Sequence, residues 1–501
     1  MRLSPQETVD APTLEEAKRL LVRDSAWATV CGALFGGVVL AGYAVQAGAG
    51  PFEIGLLAAI PYLAQVLQLP ATLFVDRYGR RKQVSVLLLG GARLIILALA
   101  LLPLWPTDST SVLWLLLGKF GICAFSAIAG CAVNSWIHQL LSGQPLGQFF
   151  SRRLFAGTAL GCVFTFGAGW LVEHPPRGEA NLAYALAFAG SGLAGLVSTV
   201  YLARCPEPTQ QRAGPAVSVR RKLAAPFKDR GFRHLLVMLG GWNFASNFAA
   251  PFLTVYLLQQ LGYGMGTVTT LWVVSQVANA VTLYAWGRVS DRLSNKAVLS
   301  VALPVFFACT VALVFARAGA PYGLQLPLLV AFHLLMGVVG GGIGLATGNL
   351  GLKLAPAAEA TSYLAAVGLV SSAAGGIAPL VAGALASSLA SSEFQVVMRW
   401  LSNSSTREIS VLRFAHYEFL FVIAAGLGLY VMHALSRVRE GDEVSERQVV
   451  QELVLEARQT VDQVSSIGGL LSGLFVFDRF SERRVWFRRK LAGPGEVSSP
   501  E

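Results

Sequence analysis

Asp76-Arg77-Tyr78-Gly79-Arg80-Arg81-Lys82 sits between two long apolar stretches, and Asp291-Arg292-Leu293-Ser294-Asn295-Lys296 repeats its outline 215 residues later. A charged turn at the end of one hydrophobic span, returning at a fixed offset, predicts two similar membrane-embedded halves. Sliding the chain against itself holds that register across five spans. Trp27 meets Trp242, Leu56 meets Leu271, Ser85 meets Ser300, Asn134 meets Asn349 and Gly161 meets Gly376. The register then becomes 233, pairing Tyr184, Phe188, Gly195 and Arg204 with Tyr417, Phe421, Gly428 and Arg437. The difference is an insertion of 18 residues before the last span. Six spans per half make the repeats parallel, which points to an axis along the membrane normal and a central site.

Composition agrees. The 501 residues are 54% hydrophobic and 13% charged, where soluble domains carry about 25% charged residues. Apolar runs long enough to cross a bilayer fall at 26–48, 54–75, 84–105, 112–140, 154–172, 181–203, 235–259, 267–286, 297–318, 327–350, 361–386 and 414–436. The expected fold class is an all-α polytopic membrane protein, with 12 transmembrane helices in two pseudo-symmetric six-helix bundles. The net charge of +11 suggests a nucleic-acid partner only until its distribution is read. If the N-terminus is cytoplasmic, 32 of the 39 lysines and arginines lie on the cytoplasmic side, 5 on the other and 2 inside spans. That asymmetry records orientation and attraction to anionic lipid, with no nucleic acid required. The expected location is a bacterial cytoplasmic (inner) membrane, both termini inside.

The domain plan follows. Residues 1–25 form an N-terminal amphipathic segment without a cleavable signal, in which Thr13 and Glu16 read as a capping box ahead of a short helix from Leu14 to Leu21. Residues 26–203 and 235–437 are the two bundles, joined by a basic linker at 204–234. Within the second bundle, the external insertion at 387–413 reads as two β-rich runs around a turn, hence a hairpin. Residues 438–501 form an amphipathic, basic tail suited to the inner membrane surface. The six cysteines show no CxxC spacing and read as small apolar fillers.

At this point the chain resembles the major facilitator superfamily, whose loop between helices 2 and 3 carries a G-x-x-x-D-R-x-G-R-[KR] signature. The first copy matches from Asp76 through Arg77, Gly79, Arg80 and Arg81, with Thr72 in place of the first glycine. The second keeps Gly287, Asp291 and Arg292, and replaces the later glycine and arginine with Ser294 and Asn295. The resemblance implies a cytoplasmic gate made by these residues against the start of helix 11, near Glu359 to Ser362. The family's drug/proton antiporters carry a Gly-Pro pair in helix 5; Gly157, Gly161, Gly167 and Gly169 keep the glycines without the proline.

Ionisable groups inside spans are costly and are functional candidates by default. Lys119 in span 4 and Arg93 in span 3 qualify, whereas no Asp or Glu reads as mid-span. The imbalance favours an anionic substrate with Lys119 as counter-charge, against a hydrated or carbonyl-bonded structural lysine. Trp242, Asn243 and Asn247 on span 7, Gln276 and Asn279 on span 8, and His333 on span 10 complete the candidate binding set. His333 and Asp76 are the candidates for a coupling proton, with a helix-contact histidine as the plainer role. No cofactor, metal or enzymatic activity is expected. The expected function is secondary active or facilitative transport of a small solute by alternating access, as a monomer. The alternatives are export of drug-like, lipophilic compounds and a non-transporting membrane scaffold or sensor.

Overall fold

The computed structural model describes residues 10–68, 70–71, 75, 80–105, 109–142, 146–209, 219–316, 324–356, 359–402, 405–440 and 451. The tip of the first motif (Asp76, Arg77, Tyr78 and Gly79) and nearly all of the expected tail lie outside them. Span 1 is built from α1 (Ala11–Leu34) and α2 (Gly37–Gln46). Next come α3 (Pro51–Ala64), α4 (Arg81–Leu99), α5 (Ser109–Leu140), α6 (Leu146–Glu173) and α7 (Ala180–Arg204). A connecting helix, α8 (Val219–Lys228), leads to α9 (Arg230–Val255), α10 (Met265–Arg292), α11 (Asn295–Ala312), α12 (Gln325–Leu354) and α13 (Ala360–Ser388). The hairpin β1 (Glu393–Ser402) and β2 (Ser405–Ala415) precedes α14 (Glu418–Ser436).

Among the described residues, ten stretches are long and apolar enough to cross a membrane, span 1 counting once. The places of spans 2 and 7 are held by α3, an apolar helix that with its closing turn runs from Pro51 to Leu67, and by α9. Arg230, Arg233, Asn243 and Asn247 make α9 the more polar of the two.

Packing repeats with the sequence. α1 packs on α6 and α7 as α9 packs on α13 and α14, while α4 packs on α5 and α7 as α11 packs on α12 and α14. α3 meets α5 as α10 meets α12. The structure is therefore two pseudo-symmetric bundles. The face carrying the outer ends of α1 and α14 is called the terminal face below, and the opposite one the hairpin face.

The expected short helix at Leu14–Leu21 does not exist as a separate element. α1 starts at Ala11 behind Asp10, without a side-chain cap, and runs unbroken into the span. Ala17, Leu20 and Leu21 are buried against Trp136, Leu140, Phe149 and Leu202. Contact with the ends of α5, α6 and α7 thus makes these turns part of the first bundle, and Thr13 is interior rather than capping.

Two local features shape the centre. Span 1 breaks at Phe35 and Gly36, and Gly37 takes a φ of +47°, a conformation that glycine adopts without steric cost. Across the halves, α3 packs on α13, α6 on α10, and α2 on α9 and α10. A Cβ at Gly55 would run into the Pro379 carbonyl and Gly383, and one at Gly169 into the Thr269 side chain. Small residues let helices approach this closely where lipid supplies no hydrophobic drive.

Gly55→Ala should therefore lower thermal stability by about 1–3 kcal/mol, the usual cost of overpacking. Gly167→Ala, where a Cβ meets open space, should be neutral. Equal melting temperatures for the two purified variants would contradict this packing.

Candidate functional site

Lys119 lies ten residues into α5 from Ser109, so about 15 Å from that helix end at 1.5 Å per residue. That depth is the middle of a hydrocarbon layer about 30 Å thick. Phe35, where span 1 breaks, lies at similar depth, one α2 length from Gln46. The Lys119 ammonium stands 5.7 Å from the centre of the Phe35 ring, a cation–π contact. Lys119 is half-buried, and among the described residues no carboxylate or hydrogen-bond acceptor pairs with it.

The second polar group joins the halves. Tyr62 on α3 donates its hydroxyl to Asn247 Oδ1 at 2.8 Å, while Asn247 Nδ2 donates to the Asn243 carbonyl and Asn243 Nδ2 to the Leu239 carbonyl. The two asparagines thus line one half-buried face of α9, as their spacing predicts, and Tyr62 joins them from the other bundle. Other candidates are placed differently. Trp242 packs edge-to-face on Phe306 at 4.8 Å, within the second bundle. His333 is buried, with Nδ1 2.8 Å from the Leu329 carbonyl and its ring against Phe332. Asn279 sits beside the α12 glycines Gly340 and Gly341, and Gln276 is half-buried on α10.

The motif residues are tied within their own halves. Arg81 is 2% exposed. It donates to the Ser135 and Pro208 carbonyls and to Gln139, and its backbone N–H donates to Glu207 Oε1 at 2.8 Å. In the second half, Glu440 accepts from the N–H groups of Asn295 and Lys296, from the Asn295 amide and from Lys353. Arg80, Asp291 and Arg292 are exposed, and a Cβ at Gly287 would meet open space.

Glu207 and Glu440 escaped the sequence reading, although they are repeat mates in the 233 register, three residues beyond Arg204 and Arg437. Each carboxylate caps the start of a helix, α4 or α11, where unpaired N–H groups favour negative charge. Their titrations differ. Burial pushes Glu207 above the ordinary carboxylate value, against the N–H groups of Lys82 and Arg81 and the Arg81 charge. Burial also pushes Glu440 up, but the Lys296 N–H, Asn295 and Lys353 outweigh it and hold it below that value.

Asp24 escaped as well. It is 6% exposed on α1 and accepts from Ser198 Oγ at 2.6 Å. Near it, Arg93 fills the space left by Gly195, its Nε buried without a hydrogen-bond partner among the described residues. The signal was present: Ala17, Leu20, Leu21 and Asp24 share one helical stripe.

The family model of the Major Facilitator Superfamily matches residues 26–379. The chain belongs to the major facilitator superfamily. No curated protein sequence matches it. Among solved structures, it is similar to a mutant of the nucleoside transporter NupG, with 15% identity, 84% of this chain and 99% of that chain covered, and a TM-score of 0.61. A bacterial homologue of the human lysosomal transporter Spinster, inward-facing and occupied, has 13% identity, coverage of 90% and 98%, and a TM-score of 0.58. A POT family transporter in complex with 5-aminolevulinic acid has 12% identity, coverage of 87% and 99%, and a TM-score of 0.55. At these identities the likeness is one of fold. Membership in this superfamily makes the chain an integral multi-pass membrane protein and a solute transporter rather than an enzyme.

The two capping glutamates make opposite predictions for pH. Glu440, lowered, contributes stability present above its ordinary value of 4.5 and lost as pH falls through its folded value. Glu207, raised, contributes stability present below 4.5 and lost as pH rises through its folded value. Glu440→Gln should thus cost about 1–3 kcal/mol at neutral pH, the price of unmade buried hydrogen bonds, with the gap closing in acid. Glu207→Gln should flatten the fall in melting temperature above pH 4.5. Identical pH profiles for both variants would contradict the assignment.

Proposed function

We propose that this chain moves a small anionic solute across the cytoplasmic membrane by alternating access, with Lys119 as the solute's counter-charge. The carrying observation is the placement of Lys119, a cation at mid-membrane depth that lies over the Phe35 ring, with no carboxylate paired to it among the described residues. Burying such a charge in hydrocarbon costs several kcal/mol, and a carboxylate or phosphate on the solute would offset that cost. Tyr62, Asn243 and Asn247 supply neutral hydrogen bonds at similar depth, and Gln276 is half-buried on the next helix, α10. Trp242, Asn279 and His333 shape the walls through packing.

The two bundles, 26–203 and 235–437, would rock about this level. Close contacts between them run along the hairpin-face parts of α3–α13 and α6–α10, whereas α1, the terminal-face part of span 1, packs on α6 and α7 of its own bundle. This supports a cavity open toward the terminal face, which the distribution of lysine and arginine identifies as cytoplasmic. The motif residues Asp76, Arg77, Gly79, Arg80, Gly287, Asp291 and Arg292 would then close that face in the opposite state, held on the scaffolds anchored by Arg81 and Asn295. Any coupling proton would be carried by His333 or Asp76, and Asp24 adds a buried carboxylate to that set.

In proteoliposomes of the purified protein, Lys119→Gln should reduce uptake of an anionic substrate about tenfold or more, a loss of about 1.4 kcal/mol. Lys119→Arg should retain part of it. Unchanged uptake in Lys119→Gln for every anion transported by the wild type would contradict an anionic substrate.

A further inference from the structure

The insertion that breaks the repeat is a long hairpin on short tethers. β1 has ten residues, about 33 Å of strand. Four residues separate it from α13, and two separate β2 from α14. Its base is fixed at the boundary of the membrane helices. The Ala415 N–H donates to Glu418 Oε2 at 2.8 Å, Gln260 donates to the Ala415 carbonyl, and Phe414 meets Phe419 edge-to-face at 4.9 Å. α14 is the helix that packs against it, through β2.

The hairpin has two unlike faces. The register pairs Phe394 with Phe414, Val396 with Leu412 and Met398 with Ile409, and alternation along a strand puts Phe394, Val396 and Met398 on one side. Glu393, Gln395, Val397 and Arg399 take the other. Phe394 and Phe414 stack at 4.9 Å, and Arg413 pairs with Glu393 at 2.6 Å on the polar side. Yet Phe394, Val396 and Met398 are 47%, 42% and 54% exposed, so the rest of the protein does not cover the apolar side. A two-stranded hairpin with an open apolar face is at best marginally stable in water, and a patch of this kind marks a contact surface.

We propose that this face rests on the bilayer leaflet at the hairpin face of the protein. Phe394, Val396, Met398 and Phe414 would lie at the boundary of headgroups and acyl chains, and the Glu393–Arg413 row would face water. The occupant follows from continuity. The apolar side begins at the Phe414–Phe419 contact, at the start of α14, a helix long and apolar enough to cross a membrane. The short tethers keep the base at the level of the bilayer surface, so the lipid boundary is the apolar medium within reach. This inference does not depend on the transported solute.

The test places a nitroxide label on single cysteines at 396, 397 or 398 of the full-length protein. The protein is held in nanodiscs of phosphatidylcholine and phosphatidylglycerol, with the unsubstituted protein and its six free cysteines labelled in parallel as background. All three positions are exposed, so the labels should not disturb folding. Labels at 396 and 398 should relax more with oxygen than with a water-soluble nickel chelate, and the label at 397 should show the reverse. Equal nickel access at 396 and 397 would overturn the proposal. So would shielding of 396 from both reagents, with a short label-to-label distance between two copies indicating a dimer interface and its absence indicating a lid over the protein itself.

Discussion

Hydrocarbon offers neither hydrogen bonds nor counter-ions, and that constraint organises every polar group in these spans. Several are answered locally. Asn243 and His333 bond to carbonyls one turn earlier, Asn247 accepts from Tyr62, and Asp24 accepts from Ser198. Others are not: Arg93 Nε and Tyr43 Oη are buried without a hydrogen-bond partner among the described residues, and Lys119 lies over an aromatic ring at a helix break without an acceptor among them. A mid-membrane cation over a ring, without an acceptor of its own, is the feature on which the proposed anionic solute rests.

The same constraint explains why the halves can behave as bodies. Within each half, one glutamate ties the start of α4 or α11 to the segment leaving the sixth helix, and apolar clusters fill the rest. Between the halves, a buried apolar cluster that includes Tyr43, Ile54, Met265, Val268 and Ala382 is joined by close approaches at glycines and by the Tyr62–Asn247 bond. Interiors held by buried networks, meeting across helix pairs without a buried ion pair among the described residues, are suited to rigid-body rocking.

Much of this was legible in the sequence because it rests on periodicity. The repeat at Asp76 and Asp291 gave the two bundles, alternation gave the hairpin, and the spacing of Asn243 and Asn247 gave a shared face. What escaped rests on tertiary burial. Asp24 reads as a charge ahead of span 1 until Ala17, Leu20 and Leu21 are seen packed on α5, α6 and α7, which carries the helix and its buried stripe inward. Trp242 looks like a cavity aromatic by position, and only the partners Phe306 and Phe307 place it in a wall. Arg81 reads as a gate residue by motif, and the carbonyls and Glu207 around it are contacts that the motif does not signal. Tyr62 carried no signal, since its partner lies 185 residues away in the other bundle.

The most direct test of alternating access around Lys119 is a pair of inter-bundle distances measured by electron–electron resonance in lipid. One pair joins Ser142 and Leu352 on the terminal face, and the other joins His174 and Ser388 on the hairpin face, all exposed positions. Adding a transported carboxylate or phosphate should shorten the first distance and lengthen the second in the wild type, and leave both unchanged in Lys119→Gln. Distances that ignore the anion in the wild type, or that shift equally in the variant, would contradict the account.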